Sequence, residues 1–140
     1  MFTDDGMAIC RHFHQRVHLT KLIHDILPTN DNVSRWKPNR TAKCPSCPHP
    51  SENCNHVLCC PHPSRVEWRR TFLINLRLTC DKLHTRPHLQ MILLTALDAW
   101  LTNTPADFSK YPIHYTRLIR QQTQIGWRQL FNGRLSKEWS

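Results

Sequence analysis

The sequence predicts a mainly α-helical protein, a small helical domain in which one short cysteine-rich turn interrupts a series of amphipathic helices. Three observations carry this expectation. Glycine occurs only three times in 140 residues, where average usage would give about ten, and so few glycines cannot serve the many tight turns of a β-rich fold. Apolar residues recur every three or four positions along most of the chain, the period that gathers them on one helical face. The ten prolines are clustered, with Pro45, Pro48, Pro50, Pro61 and Pro63 set among the cysteines, so that stretch can form no long regular element. The length suggests a single domain. Its parts are an N-terminal helix over 7–27, the cysteine-rich segment over 41–63, a three-helix basic region over 64–133 and a tail over 134–140.

The first helix is expected from Met7 to Leu27. Ile9, Phe13 and Val17 are spaced by four, and Leu19, Leu22, Ile23, Ile26 and Leu27 broaden the same face. Pro28 ends it by pushing the preceding residue out of the α region. Thr29-Asn30-Asp31-Asn32 reads as a polar connection, and Val33 to Trp36 as one turn. Beyond the cysteines, Ser64 and Glu67 have the Ser-x-x-Glu spacing of a capping box. The helix they open carries Trp68, Phe72, Leu73, Leu76, Cys80 and Leu83 on its apolar face. Thr85-Arg86-Pro87 breaks it. The next helix has the cleanest period, with Leu89, Ile92, Leu93, Ala96, Leu97, Trp100 and Leu101. Burying its large side chains contributes about 10–15 kcal/mol of gross hydrophobic free energy, most of which offsets lost chain entropy. Asn103-Thr104-Pro105 stops it. A last helix comes after Tyr111-Pro112, with Tyr115, Leu118, Ile119, Ile125 and Leu130 inward, Arg117, Arg120 and Arg128 outward, and Asn132-Gly133 as its stop. In the tail, Leu135 and Trp139 have little chain left to cover them, which suggests a fragment or a surface meant for a partner.

Charge is distributed unevenly. The chain carries 19 Lys plus Arg against 10 Asp plus Glu, a net +9. Residues 1–63 hold seven basic and five acidic side chains, residues 64–140 twelve and five. A basic second half suits a polyanion, and nucleic acid is the commonest one; a merely solvated basic surface is the plainer alternative. The first residues, Met1-Phe2-Thr3-Asp4-Asp5-Gly6, are acidic and lead into no apolar stretch, unlike a secretory leader. The longest apolar run, Met91-Ile92-Leu93-Leu94, is far below the ~18 residues that span a bilayer. A soluble intracellular protein, nuclear or cytoplasmic, is expected, with no membrane partner. In a reducing compartment seven cysteines point to metal or thiols rather than disulfides.

Chemistry concentrates in residues 44–60. Cys44 and Cys47, two residues apart, let a tight turn point both thiolates at one ion while backbone N–H groups donate to the sulfurs. His56 and Cys60 stand four apart, so one helical turn puts them on the same side. Cys-x2-Cys-x8-His-x3-Cys thereby closes a tetrahedral CCHC zinc knuckle, with Zn–S ~2.3 Å and Zn–N ~2.0–2.1 Å. Four protein ligands leave no open position, so the zinc is structural. His56 is favoured because Val57 and Leu58 beside it can enter a small core, and Cys60 because Pro61 marks the end of the turn. Other sets stay open at this point: Cys59 for Cys60, Cys54 for His56, or His49 or His62 intruding. Directly after the knuckle, Arg65, Arg69, Arg70 and Arg77 form a basic helical surface suited to phosphates.

The run Leu27-Pro28-Thr29, Cys44-Pro45-Ser46-Cys47, Glu52, His56-Val57-Leu58 and Cys60-Pro61 resembles the zinc-binding region of reverse transcriptases, which in non-LTR retrotransposon proteins lies downstream of the polymerase domain. The resemblance spans about residues 19–72 and assigns ligand roles to Cys44, Cys47, His56 and Cys60. More loosely, Ile119-Arg120-Gln121-Gln122 through Ile125-Gly126-Trp127 to Lys137-Glu138-Trp139 is similar to the C-terminal ends of retroelement-derived reading frames in some algal genomes. The resemblance implies a module that helps a retroelement protein hold RNA or DNA. It implies no polymerase activity, because the adjacent Asp4-Asp5 lack the Tyr-x-Asp-Asp context that holds catalytic magnesium.

No catalytic residues are assigned. His14 and His18 have metal-ligand spacing without a third ligand, the three scattered glycines build no phosphate loop, and cysteines that bind zinc are not available as nucleophiles. The sequence therefore points to a non-catalytic, zinc-stabilised nucleic-acid-binding region derived from a retroelement reverse transcriptase. It takes no small-molecule substrate, and the rest of the retroelement protein is a further partner. The alternative is a helical protein-interaction module with zinc as a structural staple, in which Leu135 and Trp139 dock to a partner.

Overall fold

A computed structural model of the protein describes residues 15–139, and every regular element among them is helical, as expected of a mainly α chain. The chain divides between Val57 and Leu58 into two compact units, where length alone suggested one domain. None of the helices described is long and apolar enough to cross a membrane.

The first unit contains helix α1 (15–23), helix α2 (Asn30–Trp36) and most of helix α3 (Cys54–Cys59). The expected start of the first helix, 7–14, lies outside the described residues, as does His14. Its end comes earlier than Leu27. Asp25 turns into the left-handed region at φ 55°, so that its N–H reaches Leu22 O at 3.2 Å and the Ile26 N–H reaches Lys21 O at 2.9 Å. This closure satisfies the last carbonyls of the helix, and Pro28 is not what stops it. The polar connection at 29–32 is the beginning of α2. Thr29 Oγ1 accepts the Asn32 N–H at 3.4 Å, and the Asn32 amide donates to Asp25 O and Leu27 O, each at 2.8 Å. Those cap bonds cannot be seen in apolar periodicity, which is why only Val33–Trp36 was legible as a turn. Among the described residues of this unit, only Thr29, Cys44, Glu52 and Cys54 are buried. None of these four is an aliphatic side chain.

The second unit continues through α4 (Pro63–Lys82), α5 (Pro87–Thr102) and α6 (Thr116–Ile125), with 3-10 turns at Ile113–Tyr115, Trp127–Asn132 and Lys137–Trp139. The Ser64–Glu67 capping box does not form. The cap is His62, whose Nδ1 accepts the Ser64 N–H at 3.3 Å, and Pro63 takes the first helical position, where its missing N–H costs nothing. Glu67 pairs instead with Arg70 at 2.7 Å. α4 and α5 end as α1 does, with His84 at φ 53° and Asn103 at φ 54°. A chain poor in glycine thus places Asp, His and Asn, the residues that best tolerate this region, at its helix ends.

The core lies around α5. Ile92, Ala96, Leu97, Ala99 and Leu101 are buried together with Leu118 of α6 and Cys80 of α4. α4 packs on α5, yet Trp68 (45%), Ile74 (54%), Leu78 (59%) and Leu83 (70%) remain exposed along it. Trp68 and Leu83, expected on the buried face, are therefore largely at the surface, with Trp68 stacked parallel to Phe72. Phe131 packs against both Phe72 and Trp100, at ring separations of 5.8 and 5.5 Å.

The expected helix from Tyr115 to Leu130 is two elements. Gly126, at φ 96° and ψ 132°, ends α6, and the chain continues as the 3-10 turn to Asn132. Gly133 closes that turn at φ 70°, as its place in the sequence suggested. Gln122 organises the segment beyond α6. Fully buried, it donates to Gly126 O and Arg134 O and accepts from the Ser136 N–H at 2.9 Å and Trp139 Nε1 at 3.0 Å. Trp139 is thereby held against α6 rather than left uncovered, whereas Leu135 stays 55% exposed.

Candidate metal centre

The turn at Cys44 is closed by its own backbone. The Cys44 N–H donates to His49 O at 3.0 Å, and the Ser46 N–H donates to Cys44 Sγ at 3.4 Å, the N–H-to-sulfur contact expected where a thiolate needs neutral donors around it. On the other side, Asn53 caps α3: its Oδ1 accepts the His56 N–H at 2.8 Å, and its carbonyl accepts the Val57 N–H at 3.0 Å. The capped turn carries His56 toward the cysteine loop, bringing its Nε2 to 3.3 Å from Cys47 Sγ. Cys60 comes immediately after α3.

The ligand atoms of Cys44, Cys47, His56 and Cys60 all lie within 4.8 Å of one another. A tetrahedral zinc with ordinary bond lengths separates its sulfur and nitrogen ligands by about 3.6 Å and two sulfurs by about 3.8 Å. The Cys47–His56 separation is close to that edge. Cys44 and Cys60 are buried, Cys47 and His56 half-buried. Three sulfurs and one imidazole nitrogen form a donor set able to hold a metal ion.

The substitutes left open by spacing have other places. His49 uses Nδ1 locally, at 2.7 Å from Ser51 O, and stacks its ring on His56 at 4.1 Å and 15°. His62 caps α4. Cys59 points its Sγ to Trp100 O at 3.8 Å; burial pushes its thiol up, partly countered by the Arg69 charge. Cys54 opens α3, buried but outside the donor group.

Glu52, in sequence only an acidic member of the motif, is a brace in the fold. It is buried, its carboxylate accepts the Asn30 N–H at 3.1 Å, its carbonyl accepts the Asp31 N–H at 3.3 Å, and its own N–H donates to Ala42 O at 2.7 Å. The carboxylate thus sits at the N-terminus of α2, where negative charge is favoured, and the same residue ties the cysteine loop to that helix. Asn30 adds a bond from Nδ2 to Lys43 O at 2.9 Å.

The four arginines expected to offer a basic helical surface to phosphates do not lie together. Arg69 is buried, with Nη1 bonded to Leu58 O at 3.1 Å and Cys60 O at 2.7 Å. It is a structural cation, and its assignment to a nucleic-acid surface is corrected. Arg65 is half-buried and about 120–140° around α4 from Arg70 and Arg77 by helical geometry. Arg70 and Arg77 are exposed and flank neighbouring concavities of about 300 and 320 Å3 that share Leu73, Ile74 and Asp98. Nothing in charge or periodicity distinguishes a buried arginine from its exposed neighbours, so Arg69 was not legible. Asn53 was passed over in the sequence although a signal was there: it stands three residues before His56, the position of a cap. Comparison with protein-family models, curated proteins and solved structures found no match.

Proposed function

We propose that this chain is a non-catalytic, zinc-stabilised nucleic-acid-binding region, derived from a retroelement reverse transcriptase and working inside the cell. The observation that carries the reading is the closed Cys44, Cys47, His56 and Cys60 donor group. Four side-chain donors complete a tetrahedron, which suits an ion that organises structure rather than one that activates water. The second support is charge. Arg77, Lys82, Arg86, Arg120 and Arg134 are exposed cations of the second unit, and the chain as a whole is +9. RNA or DNA is the partner this excess fits, with the ion holding the loop that precedes α4.

The test is binding of zinc-loaded protein to single-stranded and duplex RNA and DNA across a salt series. Each duplex phosphate neutralised contributes about −0.9 to the log–log slope, so a basic surface of this kind gives steeply salt-dependent affinity. Absence of binding to every form at low salt overturns the reading.

The exposed α4 residues Val66, Ile74 and Leu78 support a second reading, a protein-interaction module in which zinc is only a staple. The concavities beside Arg70 and Arg77 suit an amphipathic helix bearing acidic residues. An acidic amphipathic peptide whose binding is lost in Ile74→Lys, in a protein that binds no nucleic acid, selects that reading.

A further inference from the structure

Arg69 is 7% exposed, and its Nη1 donates to two carbonyls, Leu58 O and Cys60 O. The guanidinium keeps its charge at every physiological pH. A charge taken out of water needs an opposite one nearby, yet among the described residues the ion pairs are Arg35–Asp31, Arg70–Glu67 and Arg117–Glu138, with no carboxylate on Arg69. Carbonyl dipoles at the end of α3 compensate only in part. Asp98 lines the concavity that Arg69 borders but makes no ion pair with it, and the chemistry of the donor group offers a further source of negative charge. Three thiolates and a neutral imidazole around a divalent cation leave one net negative charge, and one of the thiolates belongs to Cys60, whose carbonyl Arg69 grips.

We infer that Arg69 is a positioning and charge-compensating residue of the metal centre. It holds the Leu58–Cys60 backbone so that Cys60 Sγ faces the other three donors, and its cation offsets the negative charge of the loaded site. The inference deepens the zinc reading and rests on it. It also explains why a polar helix such as α4 buries an arginine near its start: the loop and the helix are locked by the same side chain.

The experiment measures cobalt and zinc affinity of the full chain by competition with a chelator, with the cobalt absorption spectrum reporting the number of sulfur ligands. Arg69→Met, which keeps the bulk and removes the charge, is expected to weaken metal binding about ten- to hundredfold while the saturated spectrum still reports three sulfurs. Arg69→Lys, which restores the charge without the planar fork, recovers part of that loss. Gln122→Ala loosens the same helical unit at another point and leaves metal affinity unchanged. Wild-type affinity in Arg69→Met overturns the inference. Equal losses in Arg69→Met and Gln122→Ala also overturn it, by reducing Arg69 to a general stabiliser. A wild-type chain that takes up neither metal fails earlier, at the donor group itself.

Discussion

The two units are ordered by different physics. Residues 58–139 bury aliphatic side chains, chiefly of α5 and α6, with Ile92 and Leu101 at 0% and 1% exposure. Residues 15–57 bury Thr29, Glu52 and two cysteines, and hold their shape through caps, side-chain bonds to backbone and a potential ion. A segment that buries no aliphatic side chain among its described residues can still be specified if its polar groups have partners and one strong centre closes the loop. Stability in this chain is therefore expected to divide: removing the ion should act first on the loop and caps of residues 15–57, and removing a buried methyl group first on the helices beyond Cys60.

The largest expected effect comes from removing that centre. Zinc supplies about 10–16 kcal/mol in small knuckle peptides. Chelation of the wild type, or Cys47→Ser, is expected to abolish hydrogen-exchange protection in α2 and α3 while the amides of α5 stay protected. Cys80→Ser, buried in the helical unit, keeps the metal. Persistent protection of α2 after chelation contradicts the division, because the loop would then be ordered without its centre.

The converse variant is Leu101→Ala. Truncating a fully buried leucine costs about 2–5 kcal/mol, so the melting temperature of the helical unit falls while zinc per chain stays constant. Metal loss in step with the lowered melting temperature would show that the two units share one stability.

Legibility divided along the same line. The helix at Pro87–Thr102 was readable because its apolar period is strong and burial selects the same residues: Ile92, Ala96, Leu97 and Leu101 are both periodic and buried. The four donors were readable because metal geometry constrains spacing, and the structure brings together the set that spacing favoured. Obscure were features that depend on where a polar group finds its partner. Thr29 and His62 became caps, Gln122 became a buried hub for Trp139, and Arg69 left the surface. Polar side chains have several comparable partners in sequence, and only the folded backbone decides among them. The break at Gly126 was missed for another reason: the apolar period from Tyr115 to Leu130 runs through it undisturbed.

That break gives the third prediction. A Cβ at Gly126 would meet Gln129 Cγ at 3.8 Å, an ordinary contact, so the cost of Gly126→Ala is conformational, arising from φ 96°. It is expected to be about 1–3 kcal/mol, read as a lower denaturation midpoint for the helical unit. Gly133 sits at φ 70° with no atom within 4 Å of a Cβ, in the region that asparagine tolerates. Gly133→Asn is therefore nearly neutral. Equal costs at both glycines would mean that the α6-to-3-10 transition is not set by the Gly126 backbone.

The smallest effect tests most finely how the ion and the caps cooperate. Asn53 orders α3 by accepting the His56 N–H, and α3 is only six residues long, too short to persist without help. Removing the cap in Asn53→Ala costs about 1 kcal/mol. Because the helix it orders presents His56, that cost should appear in metal affinity, as about a fivefold weakening, with no change in the melting of the 58–140 helices. Asn53→Ser retains an acceptor and should restore the affinity. If Asn53→Ala binds metal as the wild type does, the loaded ion alone orients His56. If it instead lowers the melting of α5, the polar unit and the apolar unit are not separable.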